Sequence, residues 1–206
     1  MNEKPIPDIV VGRLPLYLRA LQHMISEGRQ LTSSQELAER LGISAAQIRK
    51  DLSHFGEFGK QGTGYNIEFL AEQLERILKV DRVWTMIVVG AGDIGSAVAR
   101  YQGFTNRGFR ITHIFDNDPQ KIGQHIGPFT VNDLAQMDAL IQAENIKIAM
   151  IATPAAYAQA VADQLVSAGI QAILNYAPLN INVPQGVWVE YTDPVTHLQH
   201  MSYYLD

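Results

Sequence analysis

The sequence predicts a two-domain α/β protein: a winged helix-turn-helix over residues 1–80, a doubly wound parallel sheet over 81–192, and a separate C-terminal helix over 193–206. Three observations predict it. Residues 1–80 show helical apolar spacing broken by cap residues. The string Gly90-Ala91-Gly92-Asp93-Ile94-Gly95 follows an apolar strand-like run. From there to about residue 178, strand-like and helix-like segments alternate.

The 206 residues are comfortable for two domains, each able to bury a core. No apolar run approaches the roughly 18 to 20 residues of a membrane span, and the N-terminus has no basic stretch leading into an apolar one, so a soluble, cytoplasmic chain is expected. The chain has no cysteine, which excludes disulfides, thiolate chemistry and cysteine metal sites. Any redox response therefore has to come through a bound cofactor. The net charge of -5 argues against a protein that coats nucleic acid by electrostatics alone. Residues 1–80 carry ten basic and ten acidic side chains, and 81–206 carry six and eleven. DNA contact, if any, belongs to the first part.

Leu14, Leu18, Leu21 and Ile25 predict a helix over Leu14–Glu27, with Gly28 ending it. Ser33 with Glu36 three residues on has the form of a capping box, and the helix it opens runs to Gly42. Ser44 caps the next helix, in which Ile48 and Leu52 face inward while Gln47, Arg49, Lys50 and Ser53 can reach phosphates or base edges. This pair of helices has the pattern of a helix-turn-helix whose second member reads DNA. The segment GEFGKQGTGY, residues 56–65, has four glycines and one basic residue, Lys60, and suits a tight hairpin that lets backbone approach a phosphate chain, with Tyr65 at its end. An ordinary helical hairpin with solvated charges explains the basic residues alone. Helix, turn, polar helix and glycine-rich hairpin together favour DNA binding, with Ser33, Ser44, Gln47, Arg49, Lys50, Ser53, Lys60 and Tyr65 as the contact set.

Ile67, Leu70, Leu74, Ile77 and Leu78 predict another helix, and the domain boundary falls within 79–83. The run VWTMIVV then reads as a strand buried on both faces. In the glycine string, Gly90 turns the chain out of the strand, Gly92 lets backbone approach a pyrophosphate and Gly95 lets the helix pack on the sheet; this is the Rossmann-like fingerprint. A strand over Arg110–Phe115 ends in Asp116, placed to accept hydrogen bonds from an adenosine ribose. Its charge, with that of Asp118, disfavours a 2′-phosphate, so NAD or NADH is expected over NADP. A fold of this kind that binds coenzyme A, or that has lost its ligand, is the alternative.

Further on come a strand over Ile146–Ala152, the turn Thr153-Pro154, a helix over Ala155–Ala168, and a strand from Ala172 that leads into Asn175 and Tyr176. Thr153, Pro154, Asn175 and Tyr176 thus fall at carboxyl ends of strands, where such sheets bind ligands; Pro and Asn are equally plain turn formers. Asp193 and Pro194 form an N-cap and first position for a last helix through Val195, Leu198, Met201 and Leu205. About 13 residues long, it is marginal alone and has to pack on its own domain or a neighbouring subunit. His197 and His200 have a metal-compatible spacing, but no third ligand is in view, so no metal is expected.

The strings QIRKDLSHFGEFGKQGTGYNI (47–67), VVGAGDIGSAV (88–98), FDNDPQKIG (115–123), ILNYAPLNINVP (173–184) and the ending SYYLD resemble the Rex family of redox-sensing transcriptional repressors across essentially the whole chain. The resemblance implies a homodimer whose C-terminal helix is domain-swapped onto the partner near the nicotinamide. It also implies binding to inverted-repeat operator DNA of fermentation and respiration genes, permitted by NAD and released by NADH. By position, Gly90 to Gly95 would hold the pyrophosphate and Asp116 the ribose. Tyr101 and Asp193 are similar to residues used between the domains, with Arg13 or Arg19 as their partner. One departure is Pro194, where the family commonly has a bulky apolar residue that reaches the partner's nicotinamide. The rival class is a nicotinamide-dependent oxidoreductase. Its weakness is that His113, His125 and Tyr101 form no recognisable catalytic constellation.

Overall fold

The computed structural model describes residues 6–59 and 64–205. The chain divides into two units, Met1–Arg82 and Val83–Asp206.

The first unit contains helices α1 (Asp8–Val11), α2 (Leu14–Ser26), α3 (Ser34–Leu41), α4 (Ala45–Ser53) and α5 (Ile67–Ile77), with short strands β1 (Leu31–Thr32) and β2 (Tyr65–Asn66). Helix α2 buries Leu14, Leu18 and Leu21 as its spacing predicts, but its last turn buries Met24 and leaves Ile25 37% exposed. The helix ends in a Schellman arrangement, with Arg29 N–H donating to the Met24 carbonyl and Gly28 N–H to that of Ile25. Ser33 Oγ accepts from Glu36 N–H and Ser44 Oγ from Gln47 N–H. The capping box at Ser33 is half formed, because the Glu36 carboxylate accepts instead from Thr32 Oγ1 and from Arg29.

The strand leaving the glycine-rich segment, β2, pairs antiparallel with β1 between α2 and α3. Lys60 lies outside the described residues. The cores of α2, α3, α4 and α5 merge through Leu21, Leu37, Ile48, Leu70 and Leu74.

A carboxylate enters this core. Asp51 of α4 has no solvent exposure and accepts from Arg13 Nε at 2.6 Å, Arg13 NH2 at 2.8 Å, the Tyr17 hydroxyl at 2.6 Å and Gln47 Nε2 at 2.6 Å. Burial alone would raise its pKa; the hydrogen bonds from Arg13, Tyr17 and Gln47, with the Arg13 charge, outweigh burial and hold it below 3.8. The same contacts raise the pKa of Arg13, chiefly through the hydrogen bond to Asp51. They also raise that of Tyr17, where burial is the larger cause.

The second unit contains strands β3 (Trp84–Val89), β4 (Phe109–Asp116), β5 (His125–Ile126), β6 (Phe129–Asp133), β7 (Ile148–Ile151), β8 (Ala172–Asn175) and β9 (Trp188–Tyr191). Its helices are α6 (Asp93–Arg100), α7 (Met137–Ala143), α8 (Ala155–Ala168) and α9 (Pro194–Ser202). The strands form one sheet in the order β5-β6-β4-β3-β7-β8-β9, parallel except for the β5–β6 pair. Successive side chains of β3 enter different cores. Ile87 and Val89 pack with Ala158 and Leu165 of α8, and Met86 and Val88 with Ala99 of α6. Because β3 is flanked by β4 and β7, the strand order reverses beside it and opens a crevice at its carboxyl end. Helix α9 stops at Ser202, short of Leu205, and leaves Val195, Leu198 and Met201 exposed.

Two outcomes follow from these packings. Gly42 ends α3 at φ 68° with no heavy atom within 4 Å of a Cβ placed there. Gly42→Ala therefore meets backbone strain alone and should lower the unfolding free energy, measured by denaturant titration, by about 1 kcal/mol. Asp51, whose folded pKa is depressed, contributes stability that is fully present above 3.8 and is lost as the pH falls through its folded value. Amide-exchange protection in α2 and α4 should hold from neutral pH to about pH 4 and fall below it; protection that persists undiminished into strong acid would contradict the arrangement.

Candidate functional site

A cavity of about 520 Å³ occupies the crevice at the carboxyl ends of β3, β4, β7 and β8. Gly90, Gly92, Asp93 and Ile94 line one side, Asp116 to Asp118 with Lys121 another, and Thr153, Pro154, Tyr157, Tyr176 and Pro178 the third. The turn at Gly90 is fixed by close approach. A Cβ at Gly95 would run into the Gly90 carbonyl oxygen, and one at Gly90 would lie 2.5 Å from the Ala152 carbonyl oxygen. A Cβ at Gly92, by contrast, would meet nothing within 4 Å, so that glycine borders open space at the N-cap of α6, where no side chain caps the helix. Free N–H groups and the positive end of the helix dipole there suit an anion.

Asp116 is 7% exposed. Its Oδ2 accepts from Ala91 N–H at 2.7 Å and from Lys121 Nζ at 3.2 Å, and its Oδ1 from Asp118 N–H at 2.9 Å. Burial pushes its pKa up, but the bonds from Ala91, Asp118 and Lys121 prevail and hold it below the ordinary value. A carboxylate has roughly four acceptor positions, so room for a ligand hydroxyl remains. Sequence reasoning missed Lys121, which partly offsets the negative field of Asp116 and Asp118; the short turn that folds it back at Asp118 has no periodicity to read.

The expected ligand residues divide into two groups. Ala91 and Gly95 shape the turn without lining the cavity. Asn175 does not line the cavity: it is 1% exposed, its Oδ1 accepts from Ala177 N–H and its Nδ2 donates to the carbonyls of Ala177 and Leu179. It holds the turn after β8, and the neighbouring Tyr176 is the residue that reaches the cavity. Burial raises the pKa of the Tyr176 hydroxyl. Thr153 has a buried Oγ1 with no hydrogen-bond partner, the one such side-chain atom among the described residues. An unpaired buried hydroxyl costs about 1 to 3 kcal/mol, and on a cavity wall it matches a polar ligand. Loop turn, helix N-terminus, buried carboxylate and orphaned hydroxyl together fit a dinucleotide. His113 and His125 pair with Glu144 and Thr130 and do not line the cavity.

In the first unit, Arg49 and Lys50 lie exposed on α4. Arg49 donates to Ser34 Oγ at 2.9 Å, and Ser53 Oγ donates to the Lys50 carbonyl. Ser33 and Ser44 are exposed with their oxygens engaged as caps. Tyr65 is half-buried, and burial raises its pKa. Gln47 turns its amide nitrogen inward to Asp51. Of the residues expected to couple the domains, Arg13 is bonded to Asp51 and Arg19 is exposed in the first unit. In the second, Tyr101 is 52% exposed and stacks edge-on against Phe104, while Asp193 Oδ1 caps α9 by accepting from Val195 N–H. Among the described residues no cluster of three or more potential metal ligands occurs, and no helix is long and apolar enough to cross a membrane.

A family model described as "Putative DNA-binding protein N-terminus" matches residues 5–53, and one described as "CoA binding domain" matches 81–179. The chain is 55% identical over 199 residues to the redox-sensing transcriptional repressor Rex of Chloroflexus aurantiacus, covering 97% of this chain and 94% of that protein. A crystal structure of RSP in complex with β-NAD+ and operator DNA superposes with a TM-score of 0.93 at 39% identity, covering 98% of this chain and 93% of that one. RSP in complex with β-NADH gives 0.89 at 37% identity, covering 98% and 95%. The relatives are named as repressors and not as enzymes. With the chain matched along nearly its full length, it belongs to the Rex family of redox-sensing transcriptional repressors.

Proposed function

We propose that the protein is a homodimeric repressor that holds inverted-repeat operator DNA through α4 and lets go of it when NADH occupies the cavity of the second unit. One observation carries the reading: Asp116, bonded to Ala91 N–H, sets a ribose acceptor directly beside the open N-terminus of α6. A pyrophosphate and a ribose have complementary positions there. Gly90 and Gly92 admit the phosphates, Asp116 accepts from ribose hydroxyls, and Thr153 Oγ1 gains its missing partner. Ile94, Pro154 and Tyr176 complete the walls. The bound dinucleotide supplies a ring that is flat and cationic when oxidised, neutral and able to pucker when reduced. The protein distinguishes the two only through a difference in affinity between its DNA-competent and released arrangements, each factor of ten being about 1.4 kcal/mol.

On the DNA side, Arg49 and Lys50 project from α4 for the major groove and its phosphates, with Gln47, Ser53 and the Ser33 and Ser44 hydroxyls beside them. Lys60 and Tyr65 are further proposed DNA contacts. Arg13 or Arg19, Tyr101 and Asp193 remain the proposed relay between domains. In the DNA-bound dimer the two copies of α4 lie roughly 34 to 36 Å apart, one helical turn, and NADH favours an arrangement that breaks this match. The protein works in the cytoplasm, beside the operators it binds. Helix α9 supports the dimer. Its nine residues are too few to be stable alone, and Val195, Leu198 and Met201 form an uncovered apolar stripe that a second copy covers.

Titrating NADH into the protein bound to an inverted-repeat duplex should release it, with NAD+ far less effective. Asp116→Ala should shift the NADH midpoint upward by about ten-fold or more, equivalent to one charge-assisted hydrogen bond. Release at an unchanged midpoint in that variant would remove Asp116 from the site. Ending the chain after Thr192 should convert the dimer to monomer in light scattering at micromolar concentration; a truncated protein that stays dimeric places the interface elsewhere.

A further inference from the structure

The cluster around Asp51 bears on how the chain selects a DNA sequence, an inference that rests on α4 being the recognition helix. An ionised carboxylate can only accept hydrogen bonds. Asp51, held ionised by Arg13, therefore dictates the orientation of its neighbour. Gln47 has to approach nitrogen-first, as it does, with Nε2 at 2.6 Å from Oδ1. That bond engages Nε2 and leaves Oε1 and the second N–H for another partner. Gln47 occupies the first turn of α4, immediately after the Ser44 cap, where recognition helices meet base edges.

We propose that Asp51 is a specificity-positioning residue: with Arg13 and Tyr17 it clamps α4 onto α2, and it locks the Gln47 amide so that its Oε1 is offered as an acceptor to a base amino group in the major groove. The clamp is stiff. Arg13 binds through two nitrogens, Nε and NH2, to the two carboxylate oxygens, a planar fork that permits little rotation. Tyr17 is 1% exposed and packed in the core, so its hydroxyl is positioned by its ring. A free glutamine amide reads donor and acceptor indifferently by flipping; one held by Nε2 keeps Oε1 as an acceptor for an amino group on the major-groove edge, which adenine and cytosine carry there and guanine and thymine do not. Asp51 touches no base itself.

The test is a double-substitution cycle on a duplex selected from a random pool by the wild-type protein, against a scrambled duplex of equal length. Gln47→Ala should lower the ratio of selected to scrambled affinity by about ten-fold. Asp51→Asn should lower it at least as much, and adding Gln47→Ala to Asp51→Asn should cost nothing further. Tyr17→Phe, which keeps the core filled, should lower the ratio in the same direction by a smaller factor. Equal losses from Gln47→Ala in both backgrounds, or an unchanged ratio in Gln47→Ala or Tyr17→Phe, would overturn the proposal. Arg49→Ala and Lys50→Ala serve as the separate check. If they weaken binding while the Asp51–Gln47 coupling is absent, only this inference fails; if they leave binding intact, α4 is not the recognition helix.

Discussion

A carboxylate removed from water has to be compensated in place, because an unpaired buried charge is among the most destabilising features a core can hold. Asp51 meets that demand with four donor atoms drawn from Arg13, Tyr17 and Gln47. The geometry of the first unit depends on it. Apolar contacts between α2 and α4 are non-directional and would tolerate a change in helix rotation, whereas four hydrogen bonds on two oxygens admit one arrangement. The exposed edge of α4, with Arg49 and Lys50, is therefore presented at an angle set from inside the domain.

The second unit solves a similar problem at its own working end. Asp116 is nearly buried, and its donors include the N–H of Ala91, in the turn out of β3. That bond ties the carboxyl end of β4 to the turn that opens α6, while the contact between Gly90 and Gly95 holds the helix close to the strand. Carboxylate, turn and helix N-terminus are thus one rigid piece. A ligand that spans ribose and pyrophosphate engages all of it at once, without ordering loops as it binds.

The family model described as a CoA binding domain covers much of the second unit, which matches the coenzyme A alternative left open by the glycine fingerprint alone. The two ligands share an adenosine and a pyrophosphate; they differ in the group beyond the pyrophosphate and, on the adenosine, in the 3′-phosphate that coenzyme A carries on its ribose. A buried anion at the end of β4 favours an unphosphorylated ribose. Lys121, 3.2 Å from that anion, tempers this preference without reversing it, since the bond to Asp116 engages its charge.

The sequence by itself determined α2 to α5, the caps at Ser33 and Ser44, the strand–turn–helix at Gly90 and the α8 boundaries, because periodicity and capping are local and need no partner to be read. It did not determine β5, β6 and β9, of two, five and four residues, which are too short to show a period. Nor did it distinguish Asn175 as a turn brace from Asn175 as a ligand, since the same amide chemistry serves both. The pairing of Arg13 with Asp51 joins residues 38 apart, and Asp51 read in isolation is one more polar position on a polar helix. Only the tertiary structure decided that it faces inward. Burial depends on which helices meet, and the charge of Asp51 is compensated only where α2 brings Arg13 and Tyr17 to it.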